Sequence, residues 1–205
     1  QSAAAHARSD LASRPGVLAT VLLTLSDIAQ AAGVHDQSAS LAAEAGTLRG
    51  ALHGEDSPEY ADTLVARGRA LWFHQAGTDA QLLAGRALDI YQRQAPDSEG
   101  HVRALLLQQA IDGTLDRVDH ASASIEHTLG WCRARNQQPF ELCNQVLFTA
   151  ASFQDRLGQV RQSEPLYAEL VALRGAHYGV DHAHTLNART RHARAVLRLG
   201  DAARA

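Results

Sequence analysis

The chain has 205 residues, enough for one or two domains with a sizeable core. Apolar residues make up 45 %, mostly Ala and Leu, with only 5 % aromatics and five prolines, a balance that favours helices over strands. The net charge of −3 excludes a global field that would gather nucleic acid. All the cationic side chains apart from the 11 His are Arg, with no Lys. That usage fits either an arginine-based recognition surface or the codon bias of a GC-rich genome.

Two cysteines, Cys132 and Cys143, have no zinc-type spacing. They read as buried thiols in a reducing, cytoplasmic compartment, with a disulfide or redox pair as the alternative. No apolar run is long enough to span a membrane, the longest lying near residues 17–25. The first ten residues lack the apolar core of a signal peptide. There is no Met, even at position 1, so the sequence reads as an excised piece or a processed product.

In chain order, residues 1–14 read as a tail or the end of a preceding helix. Pro15 suits a helical first turn, and Leu18, Leu22, Leu25 and Ala29 then fall on one face of a helix that Gly33 ends. A second helix covers 36–52, followed by the turn Gly54-Glu55-Asp56-Ser57-Pro58, in which Asp56 or Ser57 is the natural N-cap. Helices follow at 58–76, stopped by Gly77, and at 79–94, broken by Pro96-Asp97-Ser98. The next spans 99–115, capped by Ser98, with its turn at 116–119. Further helices cover 121–135, 140–157, 162–178 and 183–199, and residues 201–205 read as the opening turn of one more.

The chain repeats itself. Leu48-Arg49-Gly50-Ala51 recurs 125 residues on as Leu173-Arg174-Gly175-Ala176, and Gly54 and Asp56 match Gly179 and Asp181 in register. Gly158 and Gly200 lie 42 residues apart, a further 42 back falls at Asp116, and Gly77 and Gly33 lie near the extrapolated positions. A unit of roughly 42 residues, each a helix pair, defines a helical repeat array. Small residues such as Ser26, Ala151 and Ala193 let helices approach, while Leu22, Leu147 and Tyr167 fill the gaps.

Gly158-x-Val160-x-x-Ser163-Glu164-x-Leu166-Tyr167 resembles the second helix of a tetratricopeptide repeat (TPR), and residues 200–205 begin the same pattern again. Leu22, Leu25, Ser26 and Ala29 sit where that family's first helix places its signature. The loop Gly179-Val180-Asp181-His182-Ala183-His184-Thr185 is similar to the turn of the longer repeats of kinesin light chains and many bacterial regulators, with Ala183 replacing a proline that Pro58 preserves. Residues 14–33 also look like the arrays attached to bacterial serine/threonine kinases, although the chain carries no glycine-rich ATP loop, His-Arg-Asp or Asp-Phe-Gly motif.

The resemblance implies an all-α, right-handed α-solenoid over residues 15–205, with about four repeats and the start of a fifth. It further implies a non-enzymatic scaffold without a cofactor, binding a protein or an extended, acidic peptide, within a larger bacterial signalling protein. Two alternatives are a ligand- or peptide-sensing module that controls an attached kinase or DNA-binding domain, and a segment that self-associates through an uncapped C-terminal end.

Carrying over the family's groove positions gives Thr20, Leu23 and Asp27, then Arg67, Leu71 and His74, then Arg103 and Leu106. Next come Gln145, Phe148, Ser152, Asp155 and Arg156, and finally Asn187, Thr190, Arg194 and Arg198. The later positions are polar and cationic, suited to clamping a peptide backbone and its carboxylates. The histidines around Asp181-His182-x-His184 lack helical metal-ligand spacing and read as turn and packing residues. No nucleophile elbow surrounds any Ser or Cys, and the acidic pairs Glu55/Asp56 and Asp116/Asp119 fall in turns, where capping accounts for them. A basic helix without aromatics is a poor platform for nucleic acid.

Overall fold

The structure, a computed structural model, describes residues 3–73, 77–114 and 117–200. Among these residues it contains ten helices and no strand: α1 (Ala3–Asp10), α2 (Pro15–Ala31), α3 (His35–His53), α4 (Pro58–Phe73), α5 (Gly77–Gln94), α6 (Glu99–Thr114), α7 (Val118–Ala134), α8 (Phe140–Arg156), α9 (Val160–Tyr178) and α10 (Ala183–Arg198). The chain divides into two compact units, residues 1–118 and 119–205.

In the first unit each helix packs on its neighbour in sequence, from α1 on α2 through to α5 on α6, and α2, α4 and α6 also touch in series. The α2 stripe differs from the expected one by one residue. Leu18, Leu22, Ser26 and Ala29 are buried, whereas Leu25 is only half-buried. The Ser26 hydroxyl donates to the Ser38 carbonyl at 2.9 Å and lies 3.0 Å from the Ser38 hydroxyl. Two small side chains that satisfy each other let α2 and α3 approach closely without stranding a polar group. Farther along, Ala61, Ala80, Ala84, Ala87 and Ala104 interdigitate with Leu64, Ile90, Tyr91, Leu107 and Ile111. That alternation of small and large residues fills an interior at crystal-like density.

In the second unit α9 packs on both α8 and α10. Leu142, Val146, Leu147, Leu166, Tyr167, Leu170 and Val196 are buried. Cys132 of α7 and Cys143 of α8 form a disulfide, with Cα atoms 5.6 Å apart and both residues fully buried. The expectation of two free thiols is therefore corrected: burial is right, but the sulfurs are bonded to each other. The basis for inferring a reducing compartment falls with it, because such bonds persist where conditions oxidise. Among the described residues no helix is long and apolar enough to cross a membrane.

The turns explain the periodicity. Gly54 and Gly179, equivalent in the two matching segments, end α3 and α9 with φ of 87° and 95°, a region where a side chain would strain the backbone. Each donates its N–H to the carbonyl of the glycine four residues back, Gly50 or Gly175. Ser57, not Asp56, caps α4: its hydroxyl accepts the Tyr60 N–H at 3.2 Å and donates to the Gly54 carbonyl at 2.8 Å. Ser98 repeats this at α6 with His101 and Ala95. At α10 the His182 ring accepts the His184 N–H at 3.3 Å, so His182 is the cap and Asp181 lies exposed.

Glu55 and Asp56 do not act as caps. They pair with Arg86 and Arg93 of α5 at 2.8 and 3.3 Å. Gly77 does not terminate a helix but is the first residue of α5, and unlike Gly33, Gly158 and Gly200 it has no positive φ. The expected helix end at Ala76, Asp116 of the expected 116–119 turn and the new helix at 201–205 lie outside the described residues, while Asp119, expected in that turn, falls in the first turn of α7.

Candidate functional site

In the first unit the exposed faces of α2, α4 and α6 form one surface. Asp27 of α2 pairs with Arg69 of α4, residues separated by 42 positions, one repeat length. Beside that pair lies a recess of about 260 Å³, lined by Leu23, Asp27, Asp62, Val65, Ala66, Arg69, Tyr91, Gly100 and Arg103. Asp62 is the hub of its polar wall. It accepts from Arg49 Nη1 at 3.0 Å and from the Tyr91 hydroxyl at 2.6 Å. Burial and the adjacent Asp62 charge push the Tyr91 phenol far above its ordinary range, so the phenol stays a donor at any physiological pH. Arg49 also donates to the Glu59 carbonyl at 2.9 Å. Arg103 pairs with Glu99 one helical turn back at 2.9 Å. The charges of this recess are thus matched within the protein.

In the second unit α8 and α10 carry the corresponding surface, and Asp155 pairs with Arg198 across a separation of 43. Phe148 of α8 lies under two guanidiniums, Arg191 of α10 at 5.0 Å and Arg174 of α9 at 5.5 Å. Arg174 is 8 % exposed. Its Nε donates to Asn144 Oδ1 at 2.7 Å and its Nη1 to the His184 carbonyl at 3.0 Å. Arg191 Nε reaches Asn187 Oδ1 at 3.3 Å. Burial lowers the pKa of Arg174 below its ordinary value, an effect that Tyr178 opposes and Arg191 reinforces.

The residues expected along the groove divide into several groups. Asp155 and Arg198 come together as an ion pair. Phe148 and Asn187 join the arginine cluster. Arg103 lines the recess of the first unit. Gln145 and Arg194 are exposed, and the Thr190 hydroxyl, also exposed, donates to Leu186 of its own helix at 3.0 Å. Arg156 lies over the Phe153 ring at 5.8 Å. Ser152 is half-buried.

Arg67 is displaced from the expected position. It lines a separate hollow of about 500 Å³ between α3 and α4, with Ala43, Gly46, Thr47 and Thr63. Two residues along a helix amount to a rotation of about 200°, which is why Arg69 and not Arg67 meets Asp27. Leu106 is 6 % exposed and belongs to the interior, not the groove. His74 lies outside the described residues.

Among the described residues no three His, Cys, Asp or Glu side chains converge as metal ligands. His177 stacks on Phe140 at 3.6 Å and His182 on Tyr178 at 4.7 Å, so the histidines around the α9–α10 turn pack against rings.

Sequence reasoning missed Asp62, Arg69, Arg174 and Arg191 as parts of these surfaces. The signal was present in the internal match. Continuing the 125-residue offset past the turn pairs Asp62 with Asn187 and Ala66 with Arg191, and Leu23 pairs with Phe148.

No protein-family model and no curated protein sequence matches the chain. Solved structures do. A kinesin light chain-like protein of Podosopora anserina with nearly identical TPR-like repeats matches at 15 % identity and a TM-score of 0.72, over 93 % of this chain and 90 % of that one. A point variant of the same protein gives the same figures. BtubC (BKLC) from P. vanneervenii matches at 16 % identity and a TM-score of 0.80, over 97 % of this chain and 80 % of that one. The fold of this chain is accordingly that of the TPR-like repeat solenoids, the all-α class expected from its repeats.

Proposed function

We propose that this TPR-like array is a non-enzymatic scaffold that recognises an extended peptide or protein segment along the first helices of its pairs. One observation supports the reading above others: those helices are laced at one-repeat spacing by Asp27–Arg69 and Asp155–Arg198, yet Gln145, Asn187, Thr190 and Arg194 remain exposed beside them. A helix face held in place by such pairs presents its remaining donors at fixed positions. A fixed display lowers the entropic cost of binding a flexible chain. The resemblance of residues 14–33 to kinase-attached arrays supports a regulatory setting for this recognition.

The test is selection of a random peptide library on the full chain, repeated with Arg194→Ala plus Arg198→Ala. Enriched peptides that bind the variant at least tenfold more weakly are expected. The reading fails if nothing is enriched, or if the enriched peptides bind both proteins alike.

A further inference from the structure

The helices of the two matching segments coincide residue for residue. Each bound of α8, α9 and α10 lies 125 residues beyond the corresponding bound of α2, α3 and α4. The joint between α3 and α4 can therefore be compared position by position with the joint between α9 and α10.

The second joint is filled from its own chain. Tyr167 and Val171 of α9 supply large side chains, Tyr167 being 1 % exposed. The Glu164 carboxylate of α9 meets the His192 ring of α10 at 2.8 Å. At the four equivalent positions the first joint has Ala42, Gly46, Ala39 and Arg67. Tyr60 and Thr63, in place of Thr185 and Ala188, recover part of the lost volume. A Cβ at Gly46 would lie 3.0 Å from Thr63 Oγ1, and one at Gly50 would lie 3.5 Å from the Tyr60 ring. A hollow of about 500 Å³ remains, edged by Ala43, Thr47, Ala51 and Arg67.

Small-molecule sites enclose roughly 300–1,000 Å³ and combine apolar walls with a few placed polar groups. Here those groups are unsatisfied. Among the described residues the Arg67 guanidinium has no ion-pair or hydrogen-bond partner, and the Tyr60 hydroxyl has no hydrogen-bond partner. Where α9 offers the Glu164 carboxylate, α3 offers only the methyl group of Ala39.

We infer that the α3–α4 hollow is a binding site for a small aromatic anion, with its ring beside Tyr60 and its charge on Arg67. Such a ligand supplies the two groups that the second joint takes from its own chain, a ring and an anion. The Tyr60 ring offers a partner for a second ring, and the Arg67 fork matches a carboxylate or a phosphate. This site shares no residue with Gln145, Asn187, Thr190 and Arg194, and it stands whether or not that face binds peptides.

The probes are phenylacetate, phenyl phosphate, benzyl alcohol, which keeps the ring without the charge, and acetate, which keeps the charge without the ring. Each is titrated to millimolar concentration into the full chain. Binding is read by NMR from the methyl resonances of Ala43, Thr47 and Thr63. One or both aromatic anions should shift these resonances and bind at least tenfold more tightly than benzyl alcohol and acetate. Phenylacetate reports a carboxylate ligand and phenyl phosphate a phosphate one.

Arg67→Gln, at an exposed position, should leave the melting temperature unchanged and reduce the aromatic anions to the affinity of benzyl alcohol. Ala39→Glu should do the same by giving Arg67 a carboxylate from its own chain. Thr47→Trp, at the exposed edge, should block all the aromatic probes. No shift with either aromatic anion, equal affinity for benzyl alcohol or acetate, or undiminished binding in Arg67→Gln or Thr47→Trp would each overturn the site.

Discussion

Gly100→Ala tests how tightly the first unit is closed around Tyr91. Gly100 is the second residue of α6. Alanine there should on propensity alone be better than glycine, by at most ~1 kcal/mol. Tertiary packing opposes it. A Cβ at Gly100 would lie 2.6 Å from both Cε1 and Cζ of Tyr91 and press on the hydroxyl as well. Carbon atoms in contact prefer roughly 3.5–4.0 Å, so the ring would have to retreat by about 1 Å. It has little room to do so, being 1 % exposed and packed with Ala61, Ile90, Ala104 and Ile111.

Retreat also weakens the 2.6 Å bond to Asp62. Overpacking costs about 1–3 kcal/mol and a hydrogen bond to a charged group contributes about 1.5–3 kcal/mol, so the net loss is roughly 2–5 kcal/mol. For a chain of this length that lowers the melting temperature by roughly 5–15 °C, measured by far-ultraviolet circular dichroism. In a Tyr91→Phe background the ring clash remains but the bond to Asp62 is already gone, so the penalty should fall by about half. A Gly100→Ala protein that melts at or above wild type would refute the reasoning.

Three further outcomes follow from the structure. Tyr91 holds its proton more firmly folded than unfolded, so its contribution is fully present below its ordinary pKa of 10.0 and is lost as pH rises above that value; Tyr91→Phe should flatten this alkaline loss in pH-dependent melting curves. Glu44 is held below its ordinary 4.5 chiefly by its hydrogen bond to Arg8, so that contribution is present above 4.5 and is lost as pH falls through the depressed range. The pair is surface-exposed, so Glu44→Gln should raise amide exchange in α1 while changing global stability by less than ~1 kcal/mol, and unchanged exchange in α1 would count against the contact. Reducing the Cys132–Cys143 bond, which closes a separation of 11 residues, should destabilise the second unit by ~3 kcal/mol, read as a lower urea midpoint with dithiothreitol present than without; identical midpoints would mean that the bond constrains little.

The sequence by itself determined the helical array. Its evidence was local: apolar residues at helical spacing, left-handed glycines at Gly33, Gly54, Gly158, Gly179 and Gly200, and serine caps at Ser57 and Ser98. These are interactions within a few residues, and they recur because the unit recurs. Gly77 misled because a glycine near a helix start and one past a helix end look alike until φ is known.

The tertiary structure decided the charges and the sulfurs. Whether Arg67 or Arg69 meets Asp27 depends on which way a helix is turned about its axis, and the separation in sequence does not specify that. Whether Cys132 meets Cys143 depends on how α7 is placed against α8. Arg49 and Arg174 occupy one position in the repeat, and only the partners brought to them across helices make one a closed ion pair and the other a buried cation without a carboxylate. Repetition carries the backbone from unit to unit, but each side chain takes its electrostatic surroundings from neighbours that lie far away along the chain.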